Sequence, residues 1–379
     1  MVRGLTARAA FLSIMVLVAT SCGASSPSTG SAGQGSSRFP TSLYPASIFS
    51  GLSGTIGYYD TGGGQAWDAW NGSIVKDFQD LTTVTTTEDY NQGDAKFYAA
   101  EQAGQVPWSL VLNATVSDGL VAEKKGYLVP LDKNVVPLKN LLPGTFDDYG
   151  VYAGTYGMVL AWNTTKWPLS GPHPSSMADL YNMSQFPGKR CMYNYPEYGW
   201  TLESALIADG VSAANLYPLD VNRAIAKLDT IKKNIVWWSS GGQSVQDFEN
   251  GSCDLGMIWS GRAFVAATQD HAPLAMTWNQ GGYVSCLLSI PKGAPNPKAA
   301  QAFLRMVVLD KQANIKNASL IAYPTALGPT NVGLSDFPTS TQPFVPFGPN
   351  VKVAAPENDD FYSTAMGTLL PQFNKWLAS

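Results

Sequence analysis

Residues 150–167 read GVYAGTYGMVLAWNTTKW, and the rest of the chain is organised around them. The apolar VLAW run follows two glycines, Gly154 and Gly157, and precedes a polar NTT segment, which predicts a buried strand ending in a turn. The small residues beside Tyr156 suit a place where the backbone closely approaches a ligand or a facing domain. These residues alone leave open the alternative of an ordinary buried strand with a glycine bulge.

Length and composition favour two domains and exclude several kinds of site. A chain of 379 residues is longer than a domain with a single hydrophobic core usually is. Its formal charge of -4 argues against a nucleic-acid partner. Aromatic residues make up 11% of the chain and leave enough rings to line a cleft. The only two histidines, His173 and His271, argue against a histidine-rich metal site. We predict no metal and no cofactor.

The amino terminus has the pattern of an export signal. A positive segment and a short apolar stretch end in small residues directly before Cys22, which resembles a bacterial lipoprotein signal with a lipidated cysteine. We therefore expect a signal peptide over 1–21 and a flexible Ser/Gly-rich tether over 22–43. A plain secretory signal with an incidental cysteine is the alternative. In the lipoprotein interpretation, the folded part lies outside the cytoplasm, anchored to a membrane.

Strand–loop–helix units occur in both halves of the chain. A predicted strand over 54–59 is followed by three glycines and a helix over 65–81, whose apolar residues have helical spacing. Further strands are predicted over 108–112, 190–194, 234–238, 254–259 and 283–290, and helices over 95–103, 117–125, 200–208, 218–233, 245–248, 297–309 and 361–376. This alternation predicts two α/β lobes, with ligand-binding loops at the carboxyl ends of the strands.

Several stretches together resemble a known family. They are GTYGMVLAWNTTKW, SVQDFENGSCDLGMIWSGRAF, the strand into Ser289-Ile290-Pro291, the helix AAQAFLRMVVL and the segment IAYPTALGPTN. Their order and spacing resemble the extracellular solute-binding proteins of ABC importers, in the branch that includes the spermidine/putrescine-binding proteins. The resemblance implies a periplasmic-binding-protein-like fold of type II, in which two lobes joined by crossing strands close on a ligand in the cleft.

The resemblance also implies boundaries and partners. The first part of lobe 1 would span 44–163 and lobe 2 would span 164–285, and 286–379 would return to lobe 1 and add the carboxyl-terminal helices. The protein would be a monomer that delivers a small solute to a membrane permease and its ATPase. It would be a binding protein and not an enzyme.

The ligand-binding set implied by the resemblance comprises Tyr59, Asp60, Thr61, Asn113, Thr115, Tyr156, Glu197, Trp200, Trp259, Tyr283 and Tyr323. Aromatic faces and a carboxylate, either Asp60 or Glu197, predict a small cationic or zwitterionic ligand. The amine-binding aspartate of the family corresponds here to Cys286, which argues against a long polyamine. Trp259 could instead be a core residue. Arg262 could bind an anionic group or pair with a surface carboxylate.

Export places the remaining cysteines in an oxidising compartment. In the implied architecture Cys191 and Cys253 begin neighbouring parallel strands, which predicts a disulfide between them and leaves Cys286 outside the pair.

Two other functions stay open from the sequence. One is a ferric-ion receptor of the same fold, because tyrosines can be phenolate ligands. The other is an exported hydrolase, although the chain contains neither GxSxG nor HExxH.

Overall fold

A computed structural model describes residues 38–141, 144–325 and 332–379. The predicted signal peptide, the lipidation site Cys22 and most of the tether lie outside the described residues. Residues 326–331 of the terminal motif lie outside them as well.

Nine strands of the described residues form one mixed sheet. They are β1 Ser53–Asp60, β2 Thr83–Tyr90, β3 Leu110–Asn113, β4 Gly150–Asn163, β5 Arg190–Tyr193, β6 Ile235–Trp238, β7 Leu255–Trp259, β8 Leu274–Ser289 and β9 Ala355–Pro356. The strand order is β2-β1-β3-β8-β4-β7-β5-β6, with β9 paired to β8.

The helices alternate with these strands. They are α1 Ala46–Phe49, α2 Gln65–Trp70, α3 Lys76–Leu81, α4 Ala95–Ala103, α5 Val116–Lys124, α6 Thr201–Ala208, α7 Val221–Asp229, α8 Gly241–Glu249, α9 Ser260–Phe264, α10 Pro297–Leu309, α11 Lys311–Ile321 and α12 Asp359–Leu377. A π-helical turn, Asn71–Val75, joins α2 to α3, so the predicted helix over 65–81 is continuous. Across the described parts of the chain, no helix combines the length and the apolar character needed to cross a bilayer.

The sheet contains two parallel halves. Strand β1 pairs in parallel with β2 and β3, and β5 pairs in parallel with β6 and β7. We call the first half and the helices packed on it lobe 1, and the second half with its helices lobe 2. Strands β4 and β8 are antiparallel to each other, to β7 and to β3, and they run through both halves; the short β9 adds to β8 in parallel. The predicted α/β architecture with crossing strands is therefore present.

The crossing strands are long and irregular. Their register runs from Gly150 opposite Ser289 to Asn163 opposite Leu274, with shifts between Tyr152 and Thr155 and between Met158 and Leu160. Each lobe has its own buried cluster: the lobe 1 cluster is built around α10, and the lobe 2 cluster includes α6 and the buried face of α12. Helix α12 buries one face in the lobe 2 cluster, and it also packs against α5 of lobe 1.

Some elements differ from the sequence-based expectation. Strand β2, TVTTTEDY, was not predicted, because an edge strand with polar residues on both faces has no apolar alternation to reveal it. Strand β8 begins at Leu274 rather than at Tyr283, since it continues through the Gly281-Gly282 pair, which favours a turn in sequence terms. Helix α11 was also missed.

The structure contains the predicted disulfide. Strands β5 and β7 are parallel neighbours that place Cys191 opposite Gly256, and the Cα atoms of Cys191 and Cys253 lie 5.6 Å apart. Cys286 is the free cysteine of the described residues. Because the bridge closes a long loop, it restricts the unfolded chain and stabilises lobe 2.

A close approach in the crossing strands gives a testable prediction. A Cβ atom at Gly157 would lie 2.0 Å from the ring of Trp278, which is buried. Gly157→Ala should therefore lower the free energy of unfolding by about 1–3 kcal/mol through overpacking. Urea denaturation measures the change. Gly367→Ala is the control, because a Cβ there meets no atom within 4 Å and alanine favours the helix; equal stabilities of the two variants would contradict the prediction.

Candidate functional site

A cavity lies where the carboxyl ends of the parallel strands of the two lobes face each other. Lobe 1 contributes the loop after β1 and the end of β3, and lobe 2 contributes the ends of β5, β6 and β7. The irregular part of β4, at Ala153 and Gly154, forms part of the wall. The cavity volume is about 100 Å³. Open α/β sheets bind ligands at this position.

Aromatic rings form most of the cavity wall. They belong to Tyr58, Trp67, Trp70, Tyr90, Tyr156, Tyr193, Tyr198, Trp259 and Tyr323. Trp259 is central, with its ring centroid 5.7 Å from that of Tyr156 and 5.4 Å from that of Tyr193, both in edge-to-face geometry. Its indole nitrogen donates a hydrogen bond to the carbonyl oxygen of Tyr198 at 3.0 Å. The interlocked rings form a rigid wall that suits an apolar body or a cation.

Asp60 provides the carboxylate of the cavity. Its two oxygens accept hydrogen bonds from the amides of Gly62 and Gly63 at 2.9 and 2.7 Å, so the side chain fixes the loop after β1. Burial raises the pKa of the Asp60 carboxyl, and the two amides and the charge of Arg262 act in the opposite direction. Beside it, the Thr61 hydroxyl donates to the carbonyl of Leu112 at 2.9 Å and ties the loop to β3.

Arg262 provides the positive charge. It comes from α9 of lobe 2 and reaches lobe 1, where it donates to the Gln65 side chain at 2.6 Å and to the carbonyls of Gly62 and Gly63 at 3.2 and 3.3 Å. The side chain is 3% exposed, and its Nε has no hydrogen-bond partner. It takes part in none of the ion pairs that the described residues form. Arg262 is thus a buried cation at the cavity that also holds the two lobes together.

Five of the residues predicted from the sequence meet at this cavity. They are Asp60, Thr61, Tyr156, Trp259 and Tyr323. Cys286, which the sequence singled out as a departure from the polyamine pattern, lies there as well, with its thiol 3.4 Å from the carbonyl oxygen of Ala114. Asp60 and Arg262 are the charged residues among the described lining residues.

The other predicted residues of lobe 1 have structural roles. Tyr59 packs against Trp108 and Phe97 in the core on the far face of β1, and its hydroxyl donates to the carbonyl of Gly93. Tyr58 takes the cavity-facing position instead, because neighbouring strand residues point to opposite faces. Asn113 is fully buried and donates to Asp94 at 3.1 Å.

The remaining candidates also lie away from this cavity. Thr115 caps α5 and hydrogen-bonds to Glu197, and neither residue lines this cavity. Trp200 is buried in lobe 2, where its indole nitrogen donates to the carbonyl of Gln280 at 3.1 Å. Tyr283 lines a second cavity.

Sequence reasoning missed several wall residues. Trp67 and Trp70 carry the apolar spacing of a helix, which is equally typical of core residues. Tyr193 and Tyr198 flank a loop that the sequence marks only by its Pro and Gly residues. Their position in the chain could have identified these residues, because each lies close to the carboxyl end of a parallel strand.

The cavity tyrosines are held in the phenol form. Burial raises the pKa of Tyr323 and of Tyr193 to about 12 each, and it raises the pKa of Tyr156 well above its ordinary value. A ferric site would need phenolates, which this environment disfavours. Among the described residues, no group of three or more His, Cys, Asp or Glu side chains could hold a metal ion.

Comparisons with known proteins agree with this geometry. A family model for the bacterial extracellular solute-binding protein matches residues 73–340. A gamma-aminobutyric acid-binding protein of Pseudomonas aeruginosa is 32% identical over 298 residues, which cover 76% of this chain and 81% of that protein. A spermidine/putrescine-binding periplasmic protein of Salmonella typhimurium is 29% identical over 207 residues, covering 53% of this chain and 59% of that protein.

A solved structure is similar over most of the chain. The structure of the Atu4243-GABA receptor superposes with a TM-score of 0.75 at 29% identity, covering 86% of this chain and 98% of that one. This likeness establishes the two-lobed type II fold of the periplasmic binding proteins.

The Arg262 contacts can be tested by a paired substitution. A Cβ atom at Gly241 would lie 2.4 Å from Nε of Arg262, so Gly241→Ala should push the guanidinium away from the Gly62 and Gly63 carbonyls without removing its charge. The closed form should lose about 1–3 kcal/mol relative to the open form. Small-angle scattering should record a larger radius of gyration. The adjacent Gly242→Ala, with no atom within 4 Å, should match wild type; equal profiles for both variants would contradict the assigned contacts.

Proposed function

This chain belongs to the family of bacterial extracellular solute-binding proteins, and we propose that its solute is a small ω-amino acid of the gamma-aminobutyrate type. The protein is the extracytoplasmic solute receptor of an ABC importer, which works with a membrane permease and an ATPase. The proposal concerns the identity of the solute and the residues that bind it.

We also propose three properties that the sequence predicts. Cys22 is lipidated and anchors the protein to the membrane, the receptor acts as a monomer, and it catalyses no reaction. The residue pattern around Cys22 supports the anchor. The similarity to solute-binding proteins supports a binding role rather than catalysis.

The observation that carries the proposal is the buried guanidinium of Arg262 at the cavity. A buried cation without an ion pair is costly unless an anionic group approaches it. Its Nε is the donor left without a hydrogen-bond partner. A solute carboxylate beside the guanidinium would offset this buried charge.

The opposite end of the solute is recognised by different groups. An ammonium group gains from the faces of aromatic rings, about 0.5–2 kcal/mol per face, and needs an acceptor to offset its lost hydration. Trp259, Tyr156 and Tyr323 supply rings, and Asp60 supplies the carboxylate. The aromatic rings that line the rest of the cavity suit a short methylene chain.

The same features disfavour a polyamine. A second ammonium would have to approach Arg262, and like charges repel strongly in a buried site. Cys286 offers a thiol instead of a second carboxylate, and burial raises the pKa of that thiol, so it stays neutral.

Two similarities support the choice of solute. The Pseudomonas aeruginosa relative is named for gamma-aminobutyric acid, and the similar solved structure is a GABA receptor. The spermidine/putrescine-binding relatives match a shorter part of the chain.

The experiment uses four ligands with the same carbon chain and different ends: gamma-aminobutyrate, butyrate, butylamine and putrescine. Titration calorimetry should give the highest affinity for gamma-aminobutyrate, because only this ligand satisfies Arg262 and the aromatic-carboxylate end together. Putrescine should bind weakest, because it brings an ammonium to Arg262. Tighter binding of putrescine than of gamma-aminobutyrate would refute the proposal.

Two variants separate the two ends of the site. Arg262→Gln should weaken gamma-aminobutyrate by roughly ten- to a hundredfold, since a hydrogen bond to a charged group contributes about 1.5–3 kcal/mol. The affinity for butylamine should fall much less. Asp60→Asn should lower the affinity for butylamine and for gamma-aminobutyrate but leave the affinity for butyrate unchanged. An equal loss for butylamine and gamma-aminobutyrate in Arg262→Gln would mean that Arg262 acts only through lobe closure.

A further inference from the structure

Glu197 belongs to a contact between the lobes that is separate from the solute cavity. It lies in the loop after β5 of lobe 2, and its carboxyl meets two hydroxyl groups at the start of α5 in lobe 1. The Thr115 hydroxyl lies 3.0 Å from Oε1 of Glu197, and the Ser117 hydroxyl donates to the same oxygen. All three side chains are at most 2% exposed. Separating the lobes would break this contact and expose the carboxyl to water.

Few protons are available for the hydrogen bonds at this contact. Four oxygen pairs lie at hydrogen-bond distance: Thr115 with Ser117, Thr115 with Asp118, Thr115 with Glu197, and Ser117 with Glu197. The two hydroxyl groups provide only two protons for these four pairs. Two pairs are left without a hydroxyl donor, and a proton on Glu197 or on Asp118 would supply one further donor.

The charges around the contact have the same sign. The titratable groups that face Glu197 come from α5, from α4, from the segment at the start of α12 and from its own strand and loop; they are Asp118, Tyr98, Glu357, Asp359, Tyr193 and Tyr195, and Asp94 lies beside Asp118. None of the ion pairs within the described residues includes Glu197 or Asp118. An ionised Glu197 would therefore be buried among other carboxyls without a cation.

We propose that Glu197 is a latch residue that holds the closed cleft, and that closing the cleft takes up a proton at this carboxyl. In the open form the carboxyl is in water, where a glutamate has a pKa of about 4.3. Burial and the charge of Asp118 raise the pKa of Glu197 in the closed form.

The sign of the pH dependence follows from that difference. Below the open-form pKa the carboxyl is protonated in both forms, and the latch contributes fully to closure. As the pH rises above that value, the open form loses its proton and closure must restore it, so the closed form becomes less favoured. The ratio of closed to open molecules changes by up to about tenfold per pH unit in this window. Solute capture is thus favoured in acid and release at higher pH.

The test measures the closed fraction without any solute. Spin labels are placed at Gln102→Cys on α4 and Gln246→Cys on α8, which are exposed positions on the two lobes. Distances between the labels are measured from pH 5 to pH 8. The labelled proteins also carry Cys286→Ser, because the partly exposed Cys286 lines the cavity that opens with the cleft.

The ratio of closed to open molecules of the wild-type protein should fall by at least about tenfold across this range. Glu197→Gln, which mimics the protonated carboxyl, should remain closed at every pH. Ser117→Ala removes a lobe 1 partner without changing charge and should reduce the closed fraction at pH 5. Glu203→Gln is the matched control: this buried carboxyl of lobe 2 hydrogen-bonds to Tyr217 and Tyr362, away from α5, and its variant should respond like wild type.

A wild-type distance distribution that does not change with pH would overturn the latch, as would an unchanged pH response in Glu197→Gln. A second arm uses gamma-aminobutyrate and so rests on the proposed function: calorimetry in buffers of different ionisation enthalpy should record proton uptake on binding in wild type and less in Glu197→Gln. Equal uptake in both would also count against the latch. Absence of gamma-aminobutyrate binding, with the pH response of the distances intact, would refute the solute and leave the latch standing.

Discussion

The antiparallel pairing of β4 with β8 is the constraint on which the rest of the structure depends. The ladder runs from Gly150 opposite Ser289 to Asn163 opposite Leu274, so the same two strands belong to both lobes. Parallel strands can then add on either side, and their carboxyl ends face each other across the cleft. The register shifts lie beside the cavity, where a ladder with fewer regular hydrogen bonds can bend more easily. Cleft, hinge and binding site thus follow from one pairing.

Polar contacts across the cleft set the chemistry of closure. The Arg262 guanidinium reaches the loop that Asp60 fixes, Gln92 donates to the carbonyl of Ser239, and Glu197 meets the start of α5. These groups lose hydration when the lobes meet, so each must find a partner in the closed form. We propose that an anion completes Arg262 at the cavity and that a proton completes Glu197 away from it. Arg262 then serves both recognition and closure, whereas Glu197 serves closure alone.

The sequence predicted most of the fold, and the structure brings five of the eleven candidate residues to the cavity. Asp60, Thr61 and Trp259 were found because they lie at the ends of strands. Such a position can be predicted even when the predicted strand boundaries are slightly wrong. Tyr59 was assigned to the cavity in place of Tyr58, because a shift of one residue reverses the face of a strand. Glu197 was taken for a solute carboxylate, since its partner on α5 lies far away in the chain. Strand β2 was missed because its edge position does not require apolar residues.

By itself the sequence determined the alternation of strands and helices, the crossing strand at residues 150–167, the cysteine pair and the family. These features are local, because spacing, turn residues and short motifs specify them within a few residues. Tertiary structure alone decided which rings face the cavity, that Arg262 spans the cleft, and that Glu197 meets Thr115 and Ser117 rather than solute. Those outcomes depend on how two distant parts of the chain come together when the lobes close, and no local pattern encodes the relative position of two lobes.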